Sequence, residues 1–163
     1  MNKILMIVGV LLIFSNISVP ASAQQPHQND LVGDWKLSAI YDTFEDGHLR
    51  RTWGDKPQGL LQISTGGYLS LQVMGGDRAP KPGTVPTEPV GPVRAQYGTY
   101  TLDANAKTLT VKYLMDSFPQ FIGIARPFKI EELSATALKM TAPPIRDPQG
   151  GNFTPHLEFE RLR

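Results

Sequence analysis

Short segments in which apolar and polar residues alternate recur along most of this chain of 163 residues. In the first of them Leu31, Trp35 and Leu37 fall on one face and Lys36 falls on the other. An alternation with a period of two predicts a half-buried strand. Turn residues separate the segments, and nine strands are predicted, at residues 31–42, 48–53, 59–64, 68–74, 94–102, 107–113, 121–130, 137–141 and 154–162. Such a succession is typical of an all-β barrel or sandwich, and its meander order favours a single antiparallel up-and-down β-barrel of about 8–10 strands.

The residues before the first strand have the pattern of a secretory signal peptide. Lys3 precedes an apolar run at residues 4–17, and small residues at 21–23 match a cleavage site. The run is shorter than the roughly 20 apolar residues that cross a bilayer, so a retained anchor is less consistent with it. We therefore predict a signal peptide at residues 1–23, a disordered leader at 24–30 and one β-barrel domain at 31–163, located in the periplasm or secreted.

Composition narrows the classes of partner. The chain has 16 basic and 15 acidic residues, and without Lys3 the two numbers are equal. A surface with equal numbers of positive and negative charges argues against binding to nucleic acid and against stable membrane association after signal cleavage. The chain has no Cys, which excludes disulfides and thiol chemistry, and its three His are scattered. We therefore predict no metal or other cofactor. Nothing in the sequence indicates an oligomeric state.

One segment, residues 75–93, interrupts the succession of strands. It contains five Pro and four Gly, and Pro at that density does not join a sheet interior or a helix. Loops of this length are often lids or binding loops. The segment is thus either an insertion without fixed structure, a lid over the barrel mouth, or a contact surface for a protein partner.

Specific residues add a resemblance to a known family. Gly33-Asp34-Trp35 on the first strand and Arg161 on the last form the signature of a lipocalin-type barrel, in which the indole closes one end and the guanidinium lies across it. Further stretches resemble the bacterial and fungal lipocalin-like domain family: 31–37, 59–72, Tyr97-Gly98-Thr99-Tyr100, Phe118-Pro119 with Ile122-Gly123, and Arg126-Pro127-Phe128.

The resemblance implies a fold and a binding cavity more firmly than an activity. The chain departs from the family at two places. Segment 75–93 replaces a short helix that members often carry, and Val111-Lys112-Tyr113 stands where many members place a His.

Strand parity gives candidates for the cavity lining. If Trp35 faces inward, Ala39 and Tyr41 do so too. Arg126 shares a face with Ile122, Ile124, Phe128 and Ile130, where it is either a receptor for the anion of a fatty or other organic acid, a member of an internal salt bridge, or a strand-end cation that reaches solvent. Tyr68 and Gln72 share a face that is either solvated or, as the resemblance implies, internal. The predicted ligand-binding residues are Arg126, Phe128, Tyr41, Tyr68, Gln72, Tyr100 and Tyr113.

The predicted function is that of an exported barrel that binds a small hydrophobic or amphipathic molecule. No nucleophile elbow, phosphate loop or dinucleotide fingerprint occurs, and no catalytic residue is assigned. Two alternatives remain open. One is an isomerase or cyclase that uses Asp116, Tyr113 and Arg126, and the other is a protein-binding module that uses segment 75–93.

Overall fold

The computed structural model describes residues 26–76, 78–79 and 91–163. In this part of the chain ten antiparallel strands form one sheet, and its first and last long strands pair, which closes it. The strands are β1 (Gly33–Phe44), β2 (Leu49–Arg50), β3 (Gln58–Ile63), β4 (Tyr68–Met74), β5 (Val93–Asp103), β6 (Thr108–Asp116), β7 (Ala125–Leu133), β8 (Ala137–Thr141), β9 (Ile145–Arg146) and β10 (Asn152–Arg161). The predicted all-β up-and-down barrel is confirmed.

Eight of the described strands form the barrel wall, in the order β1-β3-β4-β5-β6-β7-β8-β10. The two-residue strands β2 and β9 extend the wall where β1 ends and β10 begins. We call this end of the barrel the open end. Among the described residues, no helix has the length and hydropathy needed to cross a membrane.

The other end is closed by the predicted pair of Trp35 and Arg161. The indole is fully buried, and its Nε1 donates to the carbonyl of Leu31 over 2.8 Å. The Arg161 guanidinium lies 3.9 Å from the ring centroid and donates to the carbonyls of Val32, at 2.7 Å, and Asp30. These contacts combine a cation–π interaction with hydrogen bonds to backbone carbonyls.

Two local features of the closed end follow from this contact. Gly33 has a φ of +137°, which residues with side chains rarely adopt, so the backbone favours Gly here. A Cβ at this position would also lie 2.7 Å from Arg161 Nη1 and would displace the guanidinium. The chain before it forms a helical turn, α1 (Gln28–Leu31), which reaches into the part predicted as a disordered leader. Burial of Leu31 fixes this turn against the barrel.

A β-bulge in β1 corrects the predicted orientation of Tyr41. The register between β1 and β10 shifts between Leu37 and Ala39, so the inward positions continue with Ile40 rather than with Ala39 and Tyr41. An extra residue in one strand reverses the alternation beyond it. Tyr41 lies on the outer surface, where it stacks on His156 at 4.7 Å.

The strand predicted at 121–130 begins only at Ala125. Pro119–Phe121 forms a 3₁₀ turn, and Gly123 has a φ of +82°, which ends any extended conformation before β7. Ile122 and Ile124 are therefore about half exposed and do not share the inward face of Arg126. The strand predicted at 48–53 is likewise reduced to β2.

Two predicted segments fall mainly or wholly on residues that the structure does not describe. The signal peptide, residues 1–23, lies outside the described part of the chain. Most of segment 75–93 does as well, so its three proposed roles stay predictions.

Candidate ligand-binding cavity

The open half of the barrel encloses a cavity of about 300 Å³. The inward side chains of the closed half pack into one hydrophobic core, which forms the floor. Much of the cavity lining is apolar and comes from β1, β4, β10 and the segment from β8 to β9: Ile40, Leu71, Val73, Ala142, Ile145 and Leu157. The strands that follow β4 in the sheet contribute a polar part, which we call the polar wall and which consists of Arg94, Gln96, Tyr113 and Arg126. A cavity that combines apolar and polar surfaces in this way suits an amphipathic molecule.

The polar wall arises from three neighbouring strands. Arg94 and Gln96 are alternate residues of β5, so both point inward, and Arg126 points inward from β7. In β6 the register against β5 shifts beside Gly98, and this bulge lets both Tyr113 and Asp116 point inward although they are three residues apart. A Cβ on Gly98 would collide with the backbone carbonyl of the facing strand, so Gly is required for this close approach.

Asp116 is held by two strong contacts. Its Oδ2 lies 2.7 Å from Arg94 Nη2, and its Oδ1 accepts a 2.8 Å hydrogen bond from the backbone N–H of Phe118. The carboxylate is completely buried. A buried ion pair of this kind holds its members in place, because separating them would leave an uncompensated charge.

Arg126 is the second guanidinium of the wall. It is only 9% exposed, and no carboxylate of the described residues forms an ion pair with it. The rings of Phe121 and Phe128 lie 5.1 Å and 5.8 Å from its guanidinium carbon. Burial is the main cause that lowers the pKa of Arg126, and the charge of Arg94 acts in the same direction. A guanidinium nevertheless stays protonated in proteins, so the cavity contains a desolvated cation.

Tyr113 lies between the charged groups of the wall and is 1% exposed. Burial raises the pKa of Tyr113, whereas the positive charges of Arg94 and Arg126 lower it in part. The net direction is upward, so the hydroxyl keeps its proton at neutral pH and is available as a hydrogen-bond donor.

The polar wall, together with Asp116, carries a net positive charge. Arg94 and Asp116 cancel, which leaves Arg126 as the net charge of the polar wall. A cation in a low-dielectric pocket attracts an anion far more strongly than the same cation in water. The arrangement can therefore bind an anionic group.

A second charged cluster lies at the rim of the cavity, centred on Arg50 of β2. Its guanidinium pairs with Asp42 at 3.1 Å and with Asp147, which precedes β10. It also lies 4.8 Å and 4.4 Å from the ring centroids of Phe44 and Phe153. Arg50 thereby ties the β1–β2 hairpin to the neighbouring β9–β10 hairpin at the rim.

This cluster gives a prediction for acid stability. The backbone N–H of Gln149 and the side chain of Arg50 lower the pKa of Asp147, so its stabilising contribution is present above the ordinary Asp pKa of about 4 and is lost as the pH falls through the lower folded value. Asp147→Asn should lower the Tm at pH 7 and flatten the decline of Tm between pH 5 and pH 2. Asp42 acts in the opposite direction, because burial raises its pKa.

Thermal unfolding followed by circular dichroism from pH 2 to pH 8 measures this effect. Asp55→Asn is the matched control, since the Asp55 side chain is 91% exposed. A decline in Asp147→Asn that is as steep as in the unmodified protein would contradict the assignment.

The predicted ligand-binding residues divide into three groups. Arg126, Phe128 and Tyr113 line the cavity, and their contact with a ligand stays a prediction. Tyr100 points inward but lies at the closed end, where its hydroxyl donates to the carbonyl of Ser64 over 3.0 Å.

The remaining three candidates lie outside the barrel. Tyr41 points outward because of the β1 bulge described above, and its hydroxyl donates to Glu158 over 3.1 Å. Tyr68 is 47% exposed and stacks on Tyr97, and Gln72 is exposed on the same outer face of β4. Their face is solvated because the alternate residues of β4 fill the core.

Sequence reasoning missed several residues of the cavity. Arg94 and Gln96 have the same parity as Tyr100 on a correctly predicted strand, so parity alone could have placed them. Trp53 and Phe121 line the mouth from irregular segments, and no periodic pattern could have found them.

Comparisons with known proteins bear on the family. The chain is similar to the solved structure of bovine odorant binding protein in complex with a selenium-containing odorant, at 16% identity over 89% of this chain and 78% of that chain, with a TM-score of 0.44. It is also similar to a redesigned β-barrel, at 17% identity over 83% of this chain and 95% of that chain, with a TM-score of 0.40. No curated protein matches the chain. The model of the lipocalin-like domain family matches residues 32–150, and the chain belongs to that family.

Proposed function

We propose that this protein binds a small hydrophobic or amphipathic carboxylic acid in the cavity of its barrel. The observation that carries the proposal is the buried cation of Arg126, which has no carboxylate partner among the described residues and lines a cavity with a large apolar surface. Membership of the lipocalin-like domain family supports it, because this fold binds small hydrophobic ligands.

The carboxylic acid and the cavity have complementary chemistry. A carboxylate can accept two parallel hydrogen bonds from one guanidinium, and such charge-assisted bonds are about twice as strong as neutral ones. Its apolar body would lie against apolar lining residues such as Ile40 of β1 and Leu157 of β10. Each CH₂ group removed from water there contributes about 0.8 kcal/mol.

The cavity volume limits the size of the acid. At roughly 20–30 Å³ for each heavy atom, close to the share of one water molecule in the liquid, a volume of about 300 Å³ holds about 10–15 heavy atoms. An acid of eight to twelve carbons is therefore the natural probe.

The geometry favours binding over the isomerase or cyclase alternative. That alternative needs a general base, and both carboxylate oxygens of Asp116 already accept contacts, from Arg94 and from the Phe118 backbone. The protonated Tyr113 hydroxyl is a donor, which serves an anchored anion as well as it serves catalysis.

We further propose that the protein is exported and that its mature chain begins at Gln24. The support for this step is the charged start, apolar run and small-residue cleavage pattern of residues 1–23. Purification from the source organism tests it, since the intact mass gives the first residue and mass spectrometry of an organic extract identifies any acid that copurifies. An intact mass that includes residues 1–23 would contradict export.

Isothermal titration calorimetry with decanoate and methyl decanoate tests the binding proposal. The two probes share their chain and differ in charge, so the acid should bind roughly ten- to a hundredfold more tightly if Arg126 receives its carboxylate. Equal affinities, or no binding of either probe, would contradict the proposed function.

A further inference from the structure

Two polar atoms of the polar wall are buried without a hydrogen-bond partner among the described residues. They are the amide oxygen Oε1 of Gln96 and the Nε of Arg94. Gln96 as a whole is 5% exposed, yet it lines the cavity. An unpaired buried polar group costs about 1–3 kcal/mol, and native proteins contain few of them, so each requires an explanation.

The two atoms belong to neighbouring inward side chains of β5 and have complementary capacities. Arg94 and Gln96 are alternate residues on the inward face of β5, and alternate side chains of one strand stand side by side. Gln96 Oε1 can only accept a hydrogen bond, and Arg94 Nε can only donate one. A hydroxyl group does both, whereas an amide N–H or a carbonyl would satisfy one atom and leave the other unpaired.

The place for this hydroxyl is near the anion site. Gln96 lies on β5 and Arg126 on β7, the two strands that flank β6, and both side chains line the same cavity as Tyr113 of β6. In a cavity of about 300 Å³, a ligand that reaches both Gln96 and Arg126 has its hydroxyl near its carboxylate end.

We infer that the preferred ligand is a hydroxy acid, with a hydroxyl on its second or third carbon that pairs with Gln96 and Arg94 while its carboxylate pairs with Arg126. This inference rests on the proposed function and adds the substrate class. Both unpaired atoms are covered in the structure, and the Gln96 amide reaches the hydroxyl by turning about its terminal torsion, which has a broad, shallow energy profile.

Selectivity follows from the cost of the unmade bonds. An acid without a hydroxyl leaves the Gln96 carbonyl unpaired, as it is in the structure, whereas a hydroxy acid supplies the missing hydrogen bond. Sites built to hydrogen-bond a hydroxyl discriminate strongly against analogues without it, because the buried polar groups of the site are then unsatisfied.

The test compares the binding of 3-hydroxydecanoate, decanoate and 3-methoxydecanoate to the purified protein by isothermal titration calorimetry. The hydroxy acid should bind roughly tenfold more tightly than decanoate. The methoxy acid keeps an acceptor but has no donor, so it should show no advantage over decanoate.

Protein variants locate the hydroxyl. Gln96→Met keeps the length of the side chain and removes its acceptor, so this variant should bind 3-hydroxydecanoate and decanoate about equally. Gln72→Met is the matched control, because Gln72 lies outside the barrel on the adjacent strand, where it pairs with Ala95. This control should retain the full preference.

The possible results are distinguishable. Equal binding of decanoate and its 3-hydroxy derivative would overturn the hydroxy-acid inference and leave the proposed function intact. A preference that persists in Gln96→Met, or with the methoxy acid, would also overturn it. Failure of all three acids to bind would overturn the proposed function itself. If Gln96→Met does not fold, the comparison of the hydroxy and methoxy acids on the unmodified protein still decides the question.

Discussion

Replacing Trp35 with alanine is expected to lower the free energy of unfolding by about 3–5 kcal/mol, the usual cost of truncating a large buried aromatic residue. The ring is completely buried, so the substitution leaves a cavity at the closed end. It also removes the 2.8 Å hydrogen bond to Leu31 and the contact with Arg161. These contacts share one side chain, so their losses are not simply additive.

Urea unfolding followed by far-ultraviolet circular dichroism measures the effect. Trp35→Phe keeps an aromatic face for Arg161 but removes the indole N–H, and it should give an intermediate loss. Trp53→Ala is the comparison, because Trp53 is only partly buried where it packs against the core at the cavity mouth, so its truncation should cost less. A Trp35→Ala protein within about 1 kcal/mol of the unmodified one would refute the role of Trp35 in closing the barrel.

The barrel itself could be predicted because each wall strand has one buried face. Alternation is then a direct record of burial, and it located most strands of the wall from residue 31 onward. The closed end was equally accessible, since Gly33, Trp35 and Arg161 form a geometry that depends on residue type. What alternation cannot record is a change of phase within a strand.

The lining of the cavity depends on such changes of phase. The bulge at Ser38 and Ala39 moves Tyr41 outside, and the bulge at Leu114 brings Asp116 inside. A bulge adds one residue without altering the composition of the strand, so neighbouring side chains give little warning of it. Gly98 was a usable hint, because Gly within a strand often marks a bulge or a close backbone approach.

The ion pairs of the site were beyond prediction for a different reason. The sequence left three environments open for Arg126, and the choice depended on whether Asp116 would pair with Arg126 or with another cation. That choice is made by β5, which places Arg94 2.7 Å from Asp116. The pairing joins residues on two strands in a register that includes a bulge, and parity within one strand does not contain that information.

Arg126→Met is expected to separate ligand binding from stability. Binding of decanoate should weaken by roughly a hundredfold, because the variant has no partner for the carboxylate. In the absence of the acid, the variant should be as stable as the unmodified protein or more stable, by up to about 1–3 kcal/mol, because a buried unpaired cation is replaced by an apolar side chain of similar length. The rings of Phe121 and Phe128, which lie over the guanidinium in the unmodified protein, can pack against the Met side chain.

Thermal unfolding with and without decanoate tests both parts in one experiment. A ligand that binds only the folded state raises the Tm, so decanoate should stabilise the unmodified protein and leave the Tm of Arg126→Met almost unchanged. Arg51→Met is the matched control, since the Arg51 side chain is 46% exposed and does not line the cavity. It should keep the full response to decanoate. A variant at Arg126 that loses stability but still responds to the acid would assign that guanidinium to the fold, and the anion site would have to lie elsewhere. A variant that gains stability and loses the response would instead establish that the barrel retains a destabilising cation because its ligand needs it.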